Sequence, residues 1–392
     1  MGDIYHHAVV VIVAASSPNP QTPFLGPRPK MWHPVSFTFQ RADGSKYTLN
    51  TRRRHLLAAP LEQSLSEPPF TNSWSTLPRI GPLYSRAWCF QESLLAKRIL
   101  HYSPGAIIFE CQTHRRSEEQ LPPYVSTVEG TFEVKTQQEK WHAIVNSYTS
   151  RSLTYDKDKL PAISGIAATT AQSSGDEYVA GLWRNTLPID LLWHLKTGRA
   201  KMVLTFPNYI APSWSWASIN RGVVWNPLKH PKPLITILDI HCTPSGKNSY
   251  GEISTGASLT LRGPFAPIRI CATESAETEP NRAYYISNRG KASSQKFLIS
   301  DGLLVQDMVK DKAGDQQETV RRAKSGEWHD ASMDAPAWFL CVASTAWTNY
   351  NHVGLLLGLS PTQPGAYERL AAISNLPRDW VERCEETVLT IV

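Results

Sequence analysis

The chain has 392 residues, 41% of them hydrophobic and 19% charged, the composition of a folded globular protein long enough for one large core or two ordinary ones. Its formal charge of +6 is spread along the sequence, and its dense basic runs, Thr51-Arg52-Arg53-Arg54-His55 and His114-Arg115-Arg116, are short. They cannot follow a phosphate backbone, and no zinc-finger, RNA-recognition or helix-turn-helix signature accompanies them, which excludes nucleic acid as the expected partner. The six cysteines stand singly, without a CxxC pair or metal-like spacing against the twelve histidines, so they read as free thiols of a reducing compartment, with no metal site and no cofactor expected.

Residues 8–15 (AVVVIVAA) are apolar but too short to cross a bilayer, and Asp3 and His6-His7 precede them in place of Lys or Arg. The run therefore reads as a strand at 9–14, covered on both faces as in a parallel or central strand, in a cytoplasmic protein with no membrane partner. Six prolines in 16–34 predict a surface excursion, and 61–82 has the same character. A helix follows at 84–95, on which Trp88, Gln91, Glu92 and Leu95 share one face. Next come two alternating segments, 98–102 and 106–110, joined by Ser103-Pro104-Gly105 as a hairpin.

The middle third reads as helical. Residues 139–151 place Trp141, Ile144, Val145 and Tyr148 on one stripe, and 158–172 begins with Asp158 as N-cap and Pro161 in the first turn. Shorter helices are expected at 177–184 and 189–196. From Ser213 the period changes to that of strands. Ser213-Trp214-Ser215-Trp216 alternates, and 234–240, 258–262, 283–286, 296–299, 337–343, 353–359 and 387–392 are further strand-like runs, while the charged 310–330 reads as an exposed loop or short surface helix.

Arg86-Ala87-Trp88-Cys89-Phe90-Gln91-Glu92 resembles the R-x-W-T-x-Q-E signature of the fungal heterokaryon-incompatibility (HET) domain, continued by Arg98-Ile99-Leu100-His101-Tyr102. The segment 4–28 is similar to the family's I-Y-x-x-A strand and polar loop. Asp158-Lys159-Leu160-Pro161-Ala162-Ile163-Ser164-Gly165, Ala180-Gly181-Leu182-Trp183 and Pro212-Ser213-Trp214-Ser215-Trp216-Ala217-Ser218 look like its downstream blocks. The family's tyrosine-rich first strand, Trp-Gly pair and Cys-Ile-x-Gln element lie upstream of the I-Y-x-x-A block, which here starts at residue 4. About half of the HET domain is thus expected to be missing, by natural truncation or a late gene-model start.

The resemblance implies an α+β chain, with a truncated α/β HET-like region over 1–200 and a β-rich C-terminal region over 201–392. It implies a role in fungal self/non-self recognition and cell death, through a protein partner or homo-oligomer, with a small-molecule ligand as a further partner. The family has been compared with TIR-type folds that cleave NAD, and with the first strands missing the expectation leans to binding over that cleavage. A second expectation is a cofactor-free cyclase or isomerase of fungal secondary metabolism, using a closed apolar cavity.

Glu92 is the candidate acid, because a carboxylate on an apolar helix face is desolvated and its pKa should rise; alternatively it pairs with Arg86 or Arg98 as a fold determinant. His101 and Glu110, facing across the hairpin, form a candidate proton-transfer couple or a plain cross-strand contact. Trp88, Gln91, Trp183, Trp214 and Trp216 are candidate ligand-binding residues, or else core. No phosphate-binding, dinucleotide or serine-hydrolase motif occurs.

Overall fold

The computed structural model describes residues 2–51, 82–111, 114–118, 126–127, 136–196, 206–272, 284–288, 297–298, 308–313, 317–322, 334–345, 350–382 and 384–392. They are α+β and fall into two units, Met1–Leu153 and Thr154–Val392. The division thus comes earlier than residue 200. Its cause is visible in the second unit, where the segment before 200 is tied to the β-rich part: Trp193 donates its indole N–H to the Trp214 carbonyl at 3.0 Å, and Arg369 donates to the Leu191 carbonyl at 3.1 Å.

The first unit opens with α1 (Gly2–His7) and β1 (Val11–Val13). An antiparallel hairpin, β2 (Val35–Gln40) and β3 (Lys46–Thr51), follows the proline-rich stretch. After a 3-10 turn at Pro82–Ser85 comes α2 (Ala87–Leu95), then β4 (Arg98–Tyr102), β5 (Ile107–Cys111), β6 (His114–Ser117) and β7 (Ser126–Thr127). The last helix is α3 (Gln137–Thr149).

One sheet has the order β1-β4-β5-β6-β7. Strand β1 is parallel to β4, with Val11 beside Ile99 and Val13 beside His101. The expected parallel strand is present, but it ends the sheet among the described residues and is covered on one face only. Val13 packs with Ala15 and Ile99, whereas Ile12, pointing the other way, is 59% exposed. The β4–β5 hairpin matches expectation, its turn closed by Ser103 N–H to the Ala106 carbonyl at 3.1 Å.

Helix α2 starts later than residue 84 because its first predicted turn is 3-10. Helix α3 begins at a capping box in which Thr136 accepts from the Glu139 N–H and Glu139 accepts from the Thr136 N–H, and it buries Trp141, Val145 and Tyr148. Residues 52–81, including most of the predicted loop at 61–82, lie outside the described residues.

The second unit contains α4 (Ser164–Ser174), entered through 3-10 turns at Asp156–Lys159 and Pro161–Ile163. Asp158 therefore sits in a 3-10 turn, and α4 closes on Gly175 in the left-handed region at φ 69°. The helix expected at 177–184 is instead a hairpin of β8 (Tyr178–Val179) and β9 (Leu182–Trp183). Its two loop residues, Ala180 and Gly181, have φ of 47° and 95°, the left-handed pair that a tight hairpin turn demands and a helix forbids.

The helix expected at 189–196 shrinks to α5 (Leu187–Asp190), and β10 (His194–Leu195) turns to pair with β11 (Val223–Val224). Residues 213–216 form no strand. Ser215 accepts from the Ala217 N–H at 3.0 Å and starts a 3-10 turn at Trp216–Ser218, an instance of a serine hydroxyl competing for the backbone.

The remaining elements are β12 (Lys232–Pro233), β13 (Thr236–His241), β14 (Ser258–Ala272), β15 (Tyr284–Asn288) and β16 (Phe297–Leu298). They are followed by β17 (Met308–Ala313), β18 (Gln317–Arg322), β19 (Asp334–Ser344), β20 (Tyr350–Leu359), β21 (Tyr367–Pro377), α6 (Arg378–Val381) and β22 (Glu385–Ile391). The charged segment expected as a loop or helix forms the β17–β18 hairpin, since Val320 and Arg322 alternate inward. Residues 323–330 lie outside the described residues.

Strands β14, β19, β20, β21 and β22 close on themselves, each paired with the next and β22 with β14. Closure removes sheet edges, and the interior holds Ile268, Ile270, Phe339, Leu356, Leu370 and Ile373. Strand β14 runs through Pro264 and Pro267, well beyond the expected 258–262. Pro264 falls between the ends of its β13 and β19 partners, and Pro267 between those of β22 and β15. Each ring thus sits where one side of the ladder changes hands. Among the described residues no helix is long and apolar enough to cross a membrane.

Candidate functional site

In the first unit, α2 organises the polar side chains. Its buried stripe is Ala87, Gln91 and Leu95, with Cys89 and Phe90 beside it, while Trp88 and Glu92 are half-buried. The expected common face is therefore split. Glu92 lies against the hydroxyl of Tyr5 from α1 and against the Cys89 thiol. Burial, then the hydrogen bond to Glu92 and its charge, push Tyr5 up to about 12. Burial, then the Glu92 charge, push Cys89 up to about 12 as well, with Arg86 opposing. Cys89 is consequently a thiol at neutral pH, a packing group and not a nucleophile.

Tyr84, in the 3-10 turn before α2, is held by a backbone clasp. Ser152 N–H donates to the Ser85 carbonyl at 2.7 Å, and Ala87 N–H donates to the Ser152 carbonyl at 2.9 Å. Arg151, at the end of α3, donates to the Tyr84 carbonyl and lies over the Phe90 ring at 4.7 Å. Burial lowers Arg151 to about 10, against the opposing pull of Cys89 and Tyr84.

The hydroxyl of Tyr84 hydrogen-bonds His101 Nδ1, with ring centroids 5.8 Å apart. His101 is 3% exposed, and its Nε2 lies 3.4 Å from Glu110 Oε2, an ion-pair separation without hydrogen-bond alignment. The two residues expected to meet across the hairpin do so diagonally, since Ile99 is opposite Glu110 and Ile108 opposite His101. Tyr84 and Arg151 were not foreseen. Their placement depends on the clasp between Ser85 and Ser152, which no local spacing announces.

The tryptophan candidates of the second unit are core residues. Trp183, Trp214 and Trp216 are all buried. Trp216 donates its indole N–H to the Gly181 carbonyl at 2.7 Å, and its ring sits where a Gly181 side chain would lie, with the nearest atom 2.7 Å from the ideal Cβ. Ser215 donates to the Ala180 carbonyl at 2.5 Å. The Ser-Trp-Ser-Trp block thus holds the β8–β9 turn.

Two cations brace the same block. Arg322 donates to the Ser218 hydroxyl and the Ser213 carbonyl, each at 2.8 Å. Arg369 donates to the Leu191 and Trp193 carbonyls and stacks 3.5 Å from the Trp193 ring centroid. Lys159, from the Asp-Lys-Leu-Pro block at 158–161, is buried with its ammonium 5.9 Å from the Phe206 and Trp216 rings. Burial lowers it to about 8, with Asp156 opposing. Asp176 accepts from the N–H groups of Glu177 and Asn185 at 2.8 and 3.2 Å, bracing the hairpin.

The β2–β3 hairpin presents a different kind of surface. Phe37 is opposite Leu49 and Phe39 opposite Tyr47, with Val35 on the same face. These five side chains are 44–54% exposed, and Phe39 stacks on Tyr47 with centroids 5.4 Å apart. Its other face is Ser36, Thr38, Gln40, Lys46, Thr48 and Asn50. The chain matches no protein-family model, no curated protein and no solved structure.

Proposed function

We propose that this chain is a HET-type recognition protein of fungal self/non-self discrimination, acting in the cytoplasm by protein association that leads to cell death. The observation that carries the reading is the apolar face of the β2–β3 hairpin, a row of five large side chains open to water. A hairpin on its own is marginal in water, and a contiguous apolar patch of this kind is the mark of an interaction surface. Exposed Val9 and Ile12 beside and on the end strand β1 add a second apolar margin.

A flat apolar face is complementary to itself about a twofold axis, so a second copy is the first partner. Three half-exposed aromatic and two aliphatic side chains leave roughly 450 Å² per copy, about half of a standard interface side. Association through it is weak and reversible, a property suited to a response triggered by raised local concentration. The ordered series of blocks from Arg86 to Ser218 supports the choice of biological class.

The experiment is expression in a filamentous fungus under an inducible promoter. The chain should arrest growth, and Phe37→Ser with Phe39→Ser should abolish the arrest while the purified variant keeps the wild-type melting temperature. Both side chains already face water, so their replacement leaves the core untouched. Equal arrest by the double variant, or none by the wild type, overturns the reading.

A further inference from the structure

The Tyr84–His101–Glu110 chain is an arrangement that association does not use. We infer that Tyr84 is a base-activated phenol, a nucleophile for a small activated ester, with His101 as its base and Glu110 as the positioning residue. The inference stands whether or not the hairpin associates.

The argument begins with the imidazole. His101 Nδ1 is hydrogen-bonded to the Tyr84 hydroxyl; in the tautomer in which Nδ1 accepts, the ring's own proton is on Nε2. That proton faces Glu110 Oε2 at 3.4 Å. A carboxylate beyond a buried imidazole selects this tautomer and stabilises the imidazolium that forms when the phenol gives up its proton, the same division of labour as in a serine-histidine-aspartate triad. His101 Nε2 is buried and lacks an aligned hydrogen bond in the resting protein. Charging the ring strengthens its attraction to Glu110, and catalytic contacts that are long in the resting protein tighten in this way.

Two further features fit a nucleophile better than a core tyrosine. Tyr84 is half-buried, at the edge of the Val13, Ala15 and Ile99 cluster and not within it. Its main chain is fixed on three sides: Arg151 donates to its carbonyl, Ser85 donates its hydroxyl to the Pro82 carbonyl at 2.7 Å, and Arg86 N–H donates to the Leu83 carbonyl at 3.1 Å. The Arg151 guanidinium, close enough to feel the Tyr84 side chain, favours negative charge there.

In the proposed step the Tyr84 oxygen attacks the ester carbonyl carbon and its proton passes to His101 Nδ1. A carbon–oxygen bond forms to Tyr84, the bond to the leaving activated phenoxide breaks and it departs as the anion, while the imidazolium keeps the proton from Tyr84 and pairs with Glu110. Only the ester is consumed, and no oxidant or reductant enters.

The test uses p-nitrophenyl acetate on the full chain at neutral pH, with the site of acetylation read by peptide mass spectrometry against time. Tyr155, 63% exposed, serves as the internal unactivated phenol. Tyr84 should acetylate roughly tenfold or more faster than Tyr155. His101→Gln should bring it down to the Tyr155 rate, and Glu110→Gln should lower it in part, with Tyr155 unchanged in both. Wild-type Tyr84 reacting no faster than Tyr155 overturns the inference without any variant being needed. A folded His101→Gln protein that keeps the wild-type Tyr84 rate overturns the role of the base.

Discussion

Replacing Arg369 by alanine is expected to cost about 4 kcal/mol of stability, enough to unfold a marginal domain at ordinary temperature. The side chain is 1% exposed, and burial, then the neighbouring Arg322, push its pKa down. What keeps it there is its set of acceptors. Its guanidinium donates to the carbonyls of Leu191 and Trp193 and stacks on the Trp193 face, while its backbone N–H donates to the Ser213 hydroxyl at 2.8 Å.

Truncation leaves two buried carbonyls without donors, at about 1–3 kcal/mol each, and a cavity beside an indole. Arg369→Lys keeps one donor but loses the fork, so it should fall between wild type and alanine. Urea denaturation followed by tryptophan fluorescence reads the difference. An alanine variant within about 1 kcal/mol of wild type would show that the guanidinium does not hold this part of the fold together.

Gly358→Ala is expected to be comparably damaging through backbone crowding. The ideal Cβ position at Gly358 lies 1.9 Å from the Val320 carbonyl oxygen and 3.3 Å from Leu370 Cδ1. A carbonyl in the β18 backbone cannot rotate away as a flexible side chain can, and Leu359 N–H is tied to the Thr319 hydroxyl at 2.9 Å on the same approach. Strands β18 and β20 must separate, at about 3 kcal/mol or more for an overpacked site with no free volume. Gly246→Ala is the control, because nothing lies within 4 Å of its Cβ position. It should stay within about 0.5 kcal/mol of wild type in the same denaturation.

How much of this was legible in the sequence depends on how local the cause is. The β4–β5 hairpin was legible because Ser103-Pro104-Gly105 is turn chemistry between two alternating runs. The same register brings His101 near Glu110, so the proximity of that pair was legible too. Helix α3 was legible from the Trp141, Val145, Tyr148 stripe.

The β8–β9 hairpin was hidden because Ala180 takes a left-handed conformation that its type does not advertise. The turn is imposed by Trp216 and Ser215, which bond the Gly181 and Ala180 carbonyls from 35 residues away. Strand β14 is expected only over 258–262 because Pro264 and Pro267 follow, although in the closed ring both prolines sit at changes of partner. The β2–β3 hairpin was readable but missed. Val35, Phe37 and Phe39 alternate, Tyr47 and Leu49 answer them, and Asp43-Gly44 lies between, with Gly44 at φ 83°. Tyr84 and Arg151 could not be paired from sequence, because 67 residues separate them.

The most direct test of association through the β2–β3 face is sedimentation equilibrium of the full chain from about 1 µM to several hundred µM, the range of a half-size interface. The predicted result is a weight-average mass that climbs above 43.8 kDa with concentration, and that stays at the monomer value in the Phe37→Ser, Phe39→Ser variant. A wild-type chain that remains at 43.8 kDa throughout, or a variant that associates as well as the wild type, would contradict it.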